Sequence, residues 1–463
     1  MLRLALFLGF LACTLARAAS PVYVVLWFDT EDYVAPAADD AALRIARDLT
    51  DLGVRATFKV VAEKARVLEQ RGRWDVVRAL ALHDIGYHTA FHSMPPAPAV
   101  YLRDLGFLEG AAEFERREAS GAREVQRIFG VRPSCYGQPG SSWGPQSNPA
   151  LRRMGIPMYM DEGTQVGLDD QPFWYGGLLH VFNMGKYALR APLDGPESVP
   201  QSYKQFDAAE AALAASGGGV ISIYYHPTEF VSKKFWDSVN FPKGADRERS
   251  EWTIQPQRTP ADSERCYRVL RDYVAHMKSV AGVRFVTATD LLQLYGSAQP
   301  PRVDRARIAA HMAARQTFLR TEQGALSAAD MLLVLLGMEP EVVDGPATRI
   351  ATTYRHETIA RAAFERAKAD VVSFIRANKR LPAEVWIASE KLSTGDFAAT
   401  LAADDGGSKQ VTVRRANLEF EKYVSQDPKG SFSWPIHPEG FSAPELLELG
   451  RLQAWTLKPA RLR

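Results

Sequence analysis

The chain has 463 residues, 46% of them hydrophobic and 24% charged, with 56 Lys and Arg against 54 Asp and Glu. This composition argues against a largely disordered chain, and the near-balance of charge argues against a nucleic-acid binder held by bulk electrostatics. The length calls for a large domain with a smaller one beside it rather than one small core.

At the N-terminus, Arg3 precedes an apolar run from Leu4 to Leu15, and Ala16-Arg17-Ala18 supplies small residues around a cleavage position. Residues 1–18 therefore read as a secretory signal peptide, too short for a comfortable membrane span. Export to the periplasm or the extracellular space is expected, with no transmembrane segment after processing. Arg3 and Arg17 lie in this leader with no acid beside them, so the processed chain is formally neutral. Of the three cysteines, Cys13 falls in the leader; Cys135 and Cys266 could pair in an oxidising compartment, but spacing does not decide it. With no CxxC, a multi-cysteine metal site is excluded.

Residues 22–28 (VYVVLWF) form an unbroken apolar run, as in a strand buried on both faces. A helix is expected over 37–52, a strand over 56–61, and helices over 62–82 and 101–129 around a strand at 85–89. Short strands are expected at 133–136, 157–160, 219–225 and 283–287, with a helix over 261–279. This alternation predicts an α/β fold with a mainly parallel buried sheet, of barrel type. Polar residues collect just past the apolar strands: Asp29 to Asp32, His88 to His92, Asp161 and His226. In a parallel barrel those strand ends share one face, where chemistry gathers.

After Leu292 the texture changes. GSAQPP at 296–301 marks a linker over 296–302, and helical periodicity returns at 303–319, 327–336 and 353–378. Residues 19–295 are thus expected to form the barrel, and 303–463 a mostly helical accessory domain. Leu326-Ser327-Ala328-Ala329-Asp330-Met331 resembles Leu392-Ser393-Thr394-Gly395-Asp396-Phe397, each with a Ser cap and an Asp in the first turn. They are either a weak internal repeat or two ordinary helix starts.

The strongest local signal is His88-Thr89-Ala90-Phe91-His92 at a strand end. If the chain turns helically there, His88 and His92 lie on one side and can share a cation. By itself this spacing is common. Asp29-Thr30-Glu31-Asp32 follows the first strand, and three carboxylates so close repel one another unless a metal or a proton offsets the charge. One carboxylate of the cluster with the two histidines makes a set of two imidazoles and one carboxylate, leaving positions open for water and substrate. A carboxylate outside that set could take a proton from water. His226, ending the strand Ile221–Tyr225, could donate a proton to a leaving group, and Asp161 could orient or charge that imidazole.

Taken together, residues 22–295 resemble the polysaccharide deacetylase superfamily, carbohydrate esterase family 4, with its NodB-homology domain. The resemblance is carried by Phe28-Asp29-Thr30-Glu31-Asp32, by Gly53-Val54-Arg55 leading into Ala56-Thr57-Phe58, by His83-Asp84-Ile85-Gly86-Tyr87-His88-Thr89-Ala90-Phe91-His92, and by Tyr224-Tyr225-His226. It implies a distorted parallel (β/α) barrel and a divalent metal, usually zinc, held by His88, His92 and Glu31, with Asp32 as the rival ligand. It further implies Asp29 as base, His226 as acid, and removal of N-acetyl groups from a carbohydrate polymer such as peptidoglycan or chitin-like material.

One motif departs from the family pattern. In Arg132-Pro133-Ser134-Cys135-Tyr136-Gly137-Gln138-Pro139-Gly140, Gly137 stands where family members carry an arginine that organises the base, and Gln138 brings no charge. Asp161 falls where a fourth-motif aspartate is expected. Trp143, Trp174 and Tyr225 are candidate sugar-stacking residues. The departure leaves two rival readings open, a non-catalytic carbohydrate-binding protein on the same fold and a hydrolase of another linear amide or ester. In the C-terminal region, Arg380 to Ile387 loosely resembles a cell-wall-binding repeat of the pseudomurein type; the alternative is a helical packing domain.

Overall fold

The computed structural model describes residues 20–297 and 299–462, so the predicted leader at 1–18 lies outside the described residues. The first strand, β1 (Val22–Thr30), is buried at all nine positions, as its unbroken apolar run requires. Along one edge it pairs in parallel with β8 (Gly219–Tyr225), from Val22 opposite Gly219 to Phe28 opposite Tyr225. Two four-residue strands share its other edge: β9 (Val283–Val286) takes Val22 to Val25, and β2 (Thr57–Val60) takes Trp27 to Thr30.

From β2 the sheet continues in parallel to β3 (Asp84–Tyr87). It then passes through single bridges at Tyr136 to β4 (Met158–Met160). The strand expected over 133–136 shrinks to that one residue, because Pro133 and Pro139 on either side offer no backbone N–H to a ladder. Beyond β4 lie β6 (Leu178–Val181) and its antiparallel hairpin partner β5 (Phe173–Tyr175). Their turn is Gly176-Gly177, both at positive φ, as a tight hairpin of right-handed twist needs. On the far side, β7 (Ala188–Leu189) pairs with β8, and no strand pairing joins β7 to β6 among the described residues. The result is an α/β barrel, mainly parallel and distorted.

Two predicted helices are divided. The span 62–82 breaks into Ala62–Gln70 and Trp74–Leu80 at Gly72, whose φ is +67°. The span 101–129 resolves into Pro98–Leu102 and Phe107–Phe129. The latter buries Phe107, Ala111, Phe114, Val125 and Ile128 along one face, each large side chain contributing about 1.5–3 kcal/mol on burial. Helix Val199–Ser216 has no counterpart in the sequence reading; it buries only Ser202, Phe206 and Leu213, too sparse a stripe to stand out.

Beyond Pro301 the chain is largely helical, and it carries the same unit twice. Helix Arg305–Ala314, hairpin strands Leu319–Thr321 and Gly324–Leu326, and helix Ala328–Leu335 form the first. Helix Arg361–Asn378, strands Glu384–Ile387 and Glu390–Ser393, and helix Thr394–Ala403 form the second. Ser327 and Ser393 each cap their helix by accepting from the amide of Asp330 or Asp396. The helices expected over 303–319 and 353–378 are correspondingly shorter, since Leu319–Thr321 and Thr358–Ala360 are strands.

This region is built into the barrel. Strand Lys458–Pro459 pairs antiparallel with β5. Tyr175 Oη donates to the Gly450 carbonyl at 2.9 Å, and the Gly176 amide donates to Thr456 Oγ1 at 2.7 Å. Among the described residues no helix is long and apolar enough to cross a membrane. Cys135 and Cys266 are both free and buried.

Candidate metal centre

Strand alternation sorts the acidic cluster at the end of β1. Asp29 and Glu31 lie on one side, and Asp32 turns to the other. Asp32 is buried and fully occupied: Oδ1 accepts from the amides of Val34 and Ala35, both at 3.0 Å. Its Oδ2 accepts from Thr228 Oγ1 at 2.9 Å and Gln255 Nε2 at 2.6 Å. Asp32 thus ties β1 to the loops beyond β8 and stands apart from the histidines.

His88 and His92 do come together, with ring centroids 4.8 Å apart, but not on a helical turn. Thr89 and His92 both have left-handed backbone, φ +65° and +56°, which costs on the order of 1–3 kcal/mol per residue outside glycine. The loop is held there from several sides. The amides of Ala62 and Glu63 donate to the carbonyls of Thr89 and Ala90, each at 3.0 Å. The Ala90 amide donates to Glu118 Oε2 at 2.8 Å, and the His92 amide to Thr89 Oγ1 at 2.9 Å.

Glu31 Oε2 lies 2.8 Å from His92 Nε2 and 3.4 Å from His88 Nε2. The other sides of all three groups are engaged. Trp236 Nε1 donates to Glu31 Oε1 at 3.0 Å. His88 Nδ1 sits 3.0 Å from the Gly137 carbonyl, which can only accept, so its proton is on Nδ1. His92 Nδ1 is 2.6 Å from Ser93 Oγ, whose hydroxyl in turn donates to Asp237 Oδ2 at 2.8 Å. Both Nε2 lone pairs therefore face the carboxylate, and buried His92 Nε2 meets no hydrogen-bond donor among the described residues. Two imidazole lone pairs and a carboxylate oxygen converging in a buried site repel unless a cation lies among them. The donor set fits a divalent transition metal such as zinc.

Asp29, His88 and Asp161 also come within 4.8 Å of one another, but a cation already sits on these carboxylates. Lys59 projects from β2 directly opposite Asp29 in the register. Its Nζ lies 2.9 Å from Asp29 Oδ1 and 2.8 Å from Asp161 Oδ2, and donates to the Met160 carbonyl at 2.9 Å. The ammonium is wholly buried; burial alone would lower its pKa, and Asp161 and Asp29 together raise it above the ordinary lysine value. Gly137 makes the space: a Cβ there would stand 2.1 Å from Lys59 Nζ and 2.5 Å from Asp161 Oδ2. The positive charge expected from an arginine at 137 is thus supplied from the neighbouring strand. Gln138 takes no part, since its amide bonds Tyr159 Oη and the Gly140 carbonyl. A lysine in the middle of the buried strand ATFKVV was the available signal for this residue.

His226, at the end of β8, brings Nε2 to 3.6 Å from Asp29 Oδ2. Its partner on the other side is Glu229, at 3.5 Å from Nδ1, not Asp161, which is committed to Lys59. Glu229 is itself held by Arg190 at 2.9 and 3.0 Å. Burial pulls the His226 pKa down, but Glu31, Glu229 and Asp29 raise it to about 9.

These groups open into a cavity of about 330 Å³ whose other walls include Glu162, Tyr224, Phe235 and Trp434. Trp434 comes from the C-terminal region. Its indole lies over Gly140, where a Cβ would come within 2.4 Å of the ring, and its amide donates to Ser141 Oγ at 3.0 Å. Phe235 meets it edge-on at 5.4 Å and His226 at 4.8 Å. The three aromatics expected to stack on sugar are elsewhere: Trp143, Trp174 and Tyr225 are all buried, and Tyr225 Oη donates to the Ala191 carbonyl at 2.9 Å. Tyr224, Phe235 and Trp434 line the cavity in their place.

No protein-family model and no curated protein matches the chain. Among solved structures it is similar to a family 4 acetyl xylan esterase from Clostridium thermocellum in complex with cobalt, at 16% identity over 59% of this chain and 92% of that one, with a TM-score of 0.32. It is similar to Puue allantoinase at 13% identity over 60% and 91%, TM-score 0.39. It is similar to a T48 deacetylase with substrate at 16% identity over 60% and 92%, TM-score 0.31.

Proposed function

We propose that the chain is a metal-dependent hydrolase that removes N-acetyl groups from an amino-sugar polymer, peptidoglycan-like or chitin-like, and that it works outside the cytoplasm after losing residues 1–18. The observation that carries this reading is the position of Asp29. It is a carboxylate outside the set Glu31, His88 and His92, 3.6 Å from both His88 Nε2 and His226 Nε2, and pinned by Lys59. A pure binding site has no need of a buried carboxylate and an imidazole poised against each other beside a ligand set.

Glu31, His88 and His92 would hold a divalent ion, zinc in this reading; once bound it supplies Lewis-acid charge and a more acidic water. Asp29 takes the proton of the attacking water. Lys59 fixes Asp29 in place and keeps a positive charge beside it throughout. His226, whose acidic neighbours favour its protonated form, gives a proton to the leaving amine nitrogen, and Glu229 holds the imidazole for that transfer. The products are acetate and a free amino sugar. Tyr224, Phe235 and Trp434 present the apolar faces on which a pyranose ring can stack.

The test is acetate release by the zinc-loaded protein from N-acetylglucosamine oligomers and peptidoglycan fragments. Acetate should appear with one metal ion bound per chain and vanish in Asp29→Asn. Stoichiometric metal with no acetate from any such substrate refutes the deacetylase reading.

A further inference from the structure

We propose that the C-terminal region completes the metal centre: Trp434 is a positioning residue that acts through Asp237 and Ser93 on His92. This rests on the assignment of His92 as a metal ligand. Asp237 is fully buried next to Trp236, the residue that holds Glu31. Its Oδ2 accepts from two donors, Ser93 Oγ at 2.8 Å and Trp434 Nε1 at 3.0 Å. Ser93 Oγ is the group on His92 Nδ1. A line thus runs from indole to carboxylate to hydroxyl to imidazole, joining three segments far apart in the chain.

Such outer partners fix the ring orientation and tautomer of a ligating histidine, and losing one costs about 10–100-fold in metal affinity. Burial raises the pKa of Asp237, and the Trp434 and Ser93 hydrogen bonds favour its ionised form. Without the indole N–H, a buried carboxylate keeps one donor fewer and its hold on Ser93 loosens. Trp434 is itself anchored: the Lys243 amide donates to the Pro435 carbonyl at 2.7 Å, and Gln165 donates to the Ser431 carbonyl.

The experiment measures zinc affinity by chelator competition and thermal unfolding of the metal-free protein, in the full chain. Trp434→Phe keeps an aromatic ring in place and removes the donor together with the pyrrole part of the indole. Its zinc affinity should fall about tenfold, alongside the modest drop in metal-free unfolding temperature that a buried carboxylate with one donor fewer brings. Ser93→Ala breaks the same line from the other end, so the double variant should bind zinc no more weakly than the weaker single variant. Wild-type affinity in Trp434→Phe, or losses that add in the double variant, would overturn the proposal.

A second observation carries an inference about the substrate. A cavity of about 380 Å³ adjoins the first one across Arg190, Glu229 and Phe235. Two of its guanidinium groups are neutralised, Arg190 by Glu229 and Arg258 by Asp194. Lys233 and Lys234 on its rim are exposed and form no ion pair with any described residue. Their backbone is pinned, with the Lys233 amide donating to the Pro256 carbonyl at 2.8 Å and the Arg258 amide to the Val231 carbonyl at 2.7 Å. A polymer whose acetylated unit sits at His226 places its next unit across Phe235 beside two uncompensated ammonium groups. We infer, on the deacetylase reading, that this neighbouring unit carries a carboxylate or phosphate.

The test compares acetate release from neutral N-acetylglucosamine oligomers and from oligosaccharides carrying lactyl carboxylates, in wild type and in Lys233→Ala/Lys234→Ala. The variant should lose about tenfold in kcat/KM on the anionic substrate, an effect that shrinks with added salt, and keep its rate on the neutral one. Equal rates for variant and wild type on the anionic substrate overturn the inference while leaving the deacetylase reading standing. Acetate from neither substrate overturns both.

Discussion

Replacing Lys59 by methionine tests how the base is organised. The substitution keeps the length of the side chain and removes the charge shared by Asp29 and Asp161. The two carboxylates come within 4.8 Å of each other, so their repulsion at an effective dielectric near 20 is about 3.5 kcal/mol. Breaking a buried ion pair by removing one partner costs about 3–5 kcal/mol, in agreement with that figure. The folded variant relieves the repulsion by taking up a proton that the unfolded chain binds only at lower pH. It therefore holds more protons than the unfolded chain at neutral pH, and its stability falls as pH rises. Urea unfolding at pH 5.5 and pH 8 should show Lys59→Met losing several kcal/mol at pH 8 and distinctly less at pH 5.5, with acetate release abolished. Because Gly137 is the residue that leaves room for Lys59, Gly137→Arg alone should fail to fold, and Lys59→Ala/Gly137→Arg should recover stability over Lys59→Ala. A loss below about 1 kcal/mol, equal at both pH values, would show that Lys59 does not carry this charge balance.

Glu31→Gln should abolish the rise in melting temperature that zinc gives the wild type, whereas Asp32→Ala should keep that rise but lose about 3 kcal/mol of stability, since four hydrogen bonds end on its carboxylate. Calorimetry with and without zinc separates the two. His180, stacked between Tyr159 and Phe173, is buried and its pKa is pushed down to about 3. The unfolded chain takes up its proton near pH 6.5 and the folded chain does not, so stability falls as pH drops from 6.5 towards 3, by up to about 5 kcal/mol. Denaturation curves of His180→Phe should lack that part of the acid loss. Truncation after Pro301 removes the strand on the edge of β5, and the remainder should aggregate in gel filtration rather than behave as a free barrel.

The barrel and the meeting of Glu31, His88 and His92 were legible because their signals are local. An unbroken apolar run announces a strand buried on both faces, and residues just past such runs must meet at one end of a parallel barrel. Strand alternation also separates Glu31 from Asp32, a distinction present in the sequence once β1 is extended through Thr30. The turn at His88 to His92 was harder. A helical turn and a loop with two left-handed residues both bring the rings together, and what selects the loop is a set of bonds from Ala62, Glu63 and Glu118.

Lys59 and Trp434 mark the boundary of what local pattern can reveal. A buried lysine in a strand must find carboxylates, so ATFKVV implied an ion pair, but its partners depend on register with β1 and on the bridge at Tyr136 that brings Asp161 across. Gly137 reads as a missing charge along the chain; in space it is the vacancy that the charge fills from the next strand. Trp434 had no local signal at all. The paired prolines at 300–301 suggest a hinge followed by a detachable module, and helical periodicity beyond them is compatible with one. Whether such a region is separable depends on where its buried polar groups end. Here Asp330 reaches Lys458 in the strand beside β5, and Asp237 in the barrel depends on the indole of Trp434. A carboxylate buried in one segment and satisfied from another joins the two as one cooperative unit, because separating them leaves that group unpaired.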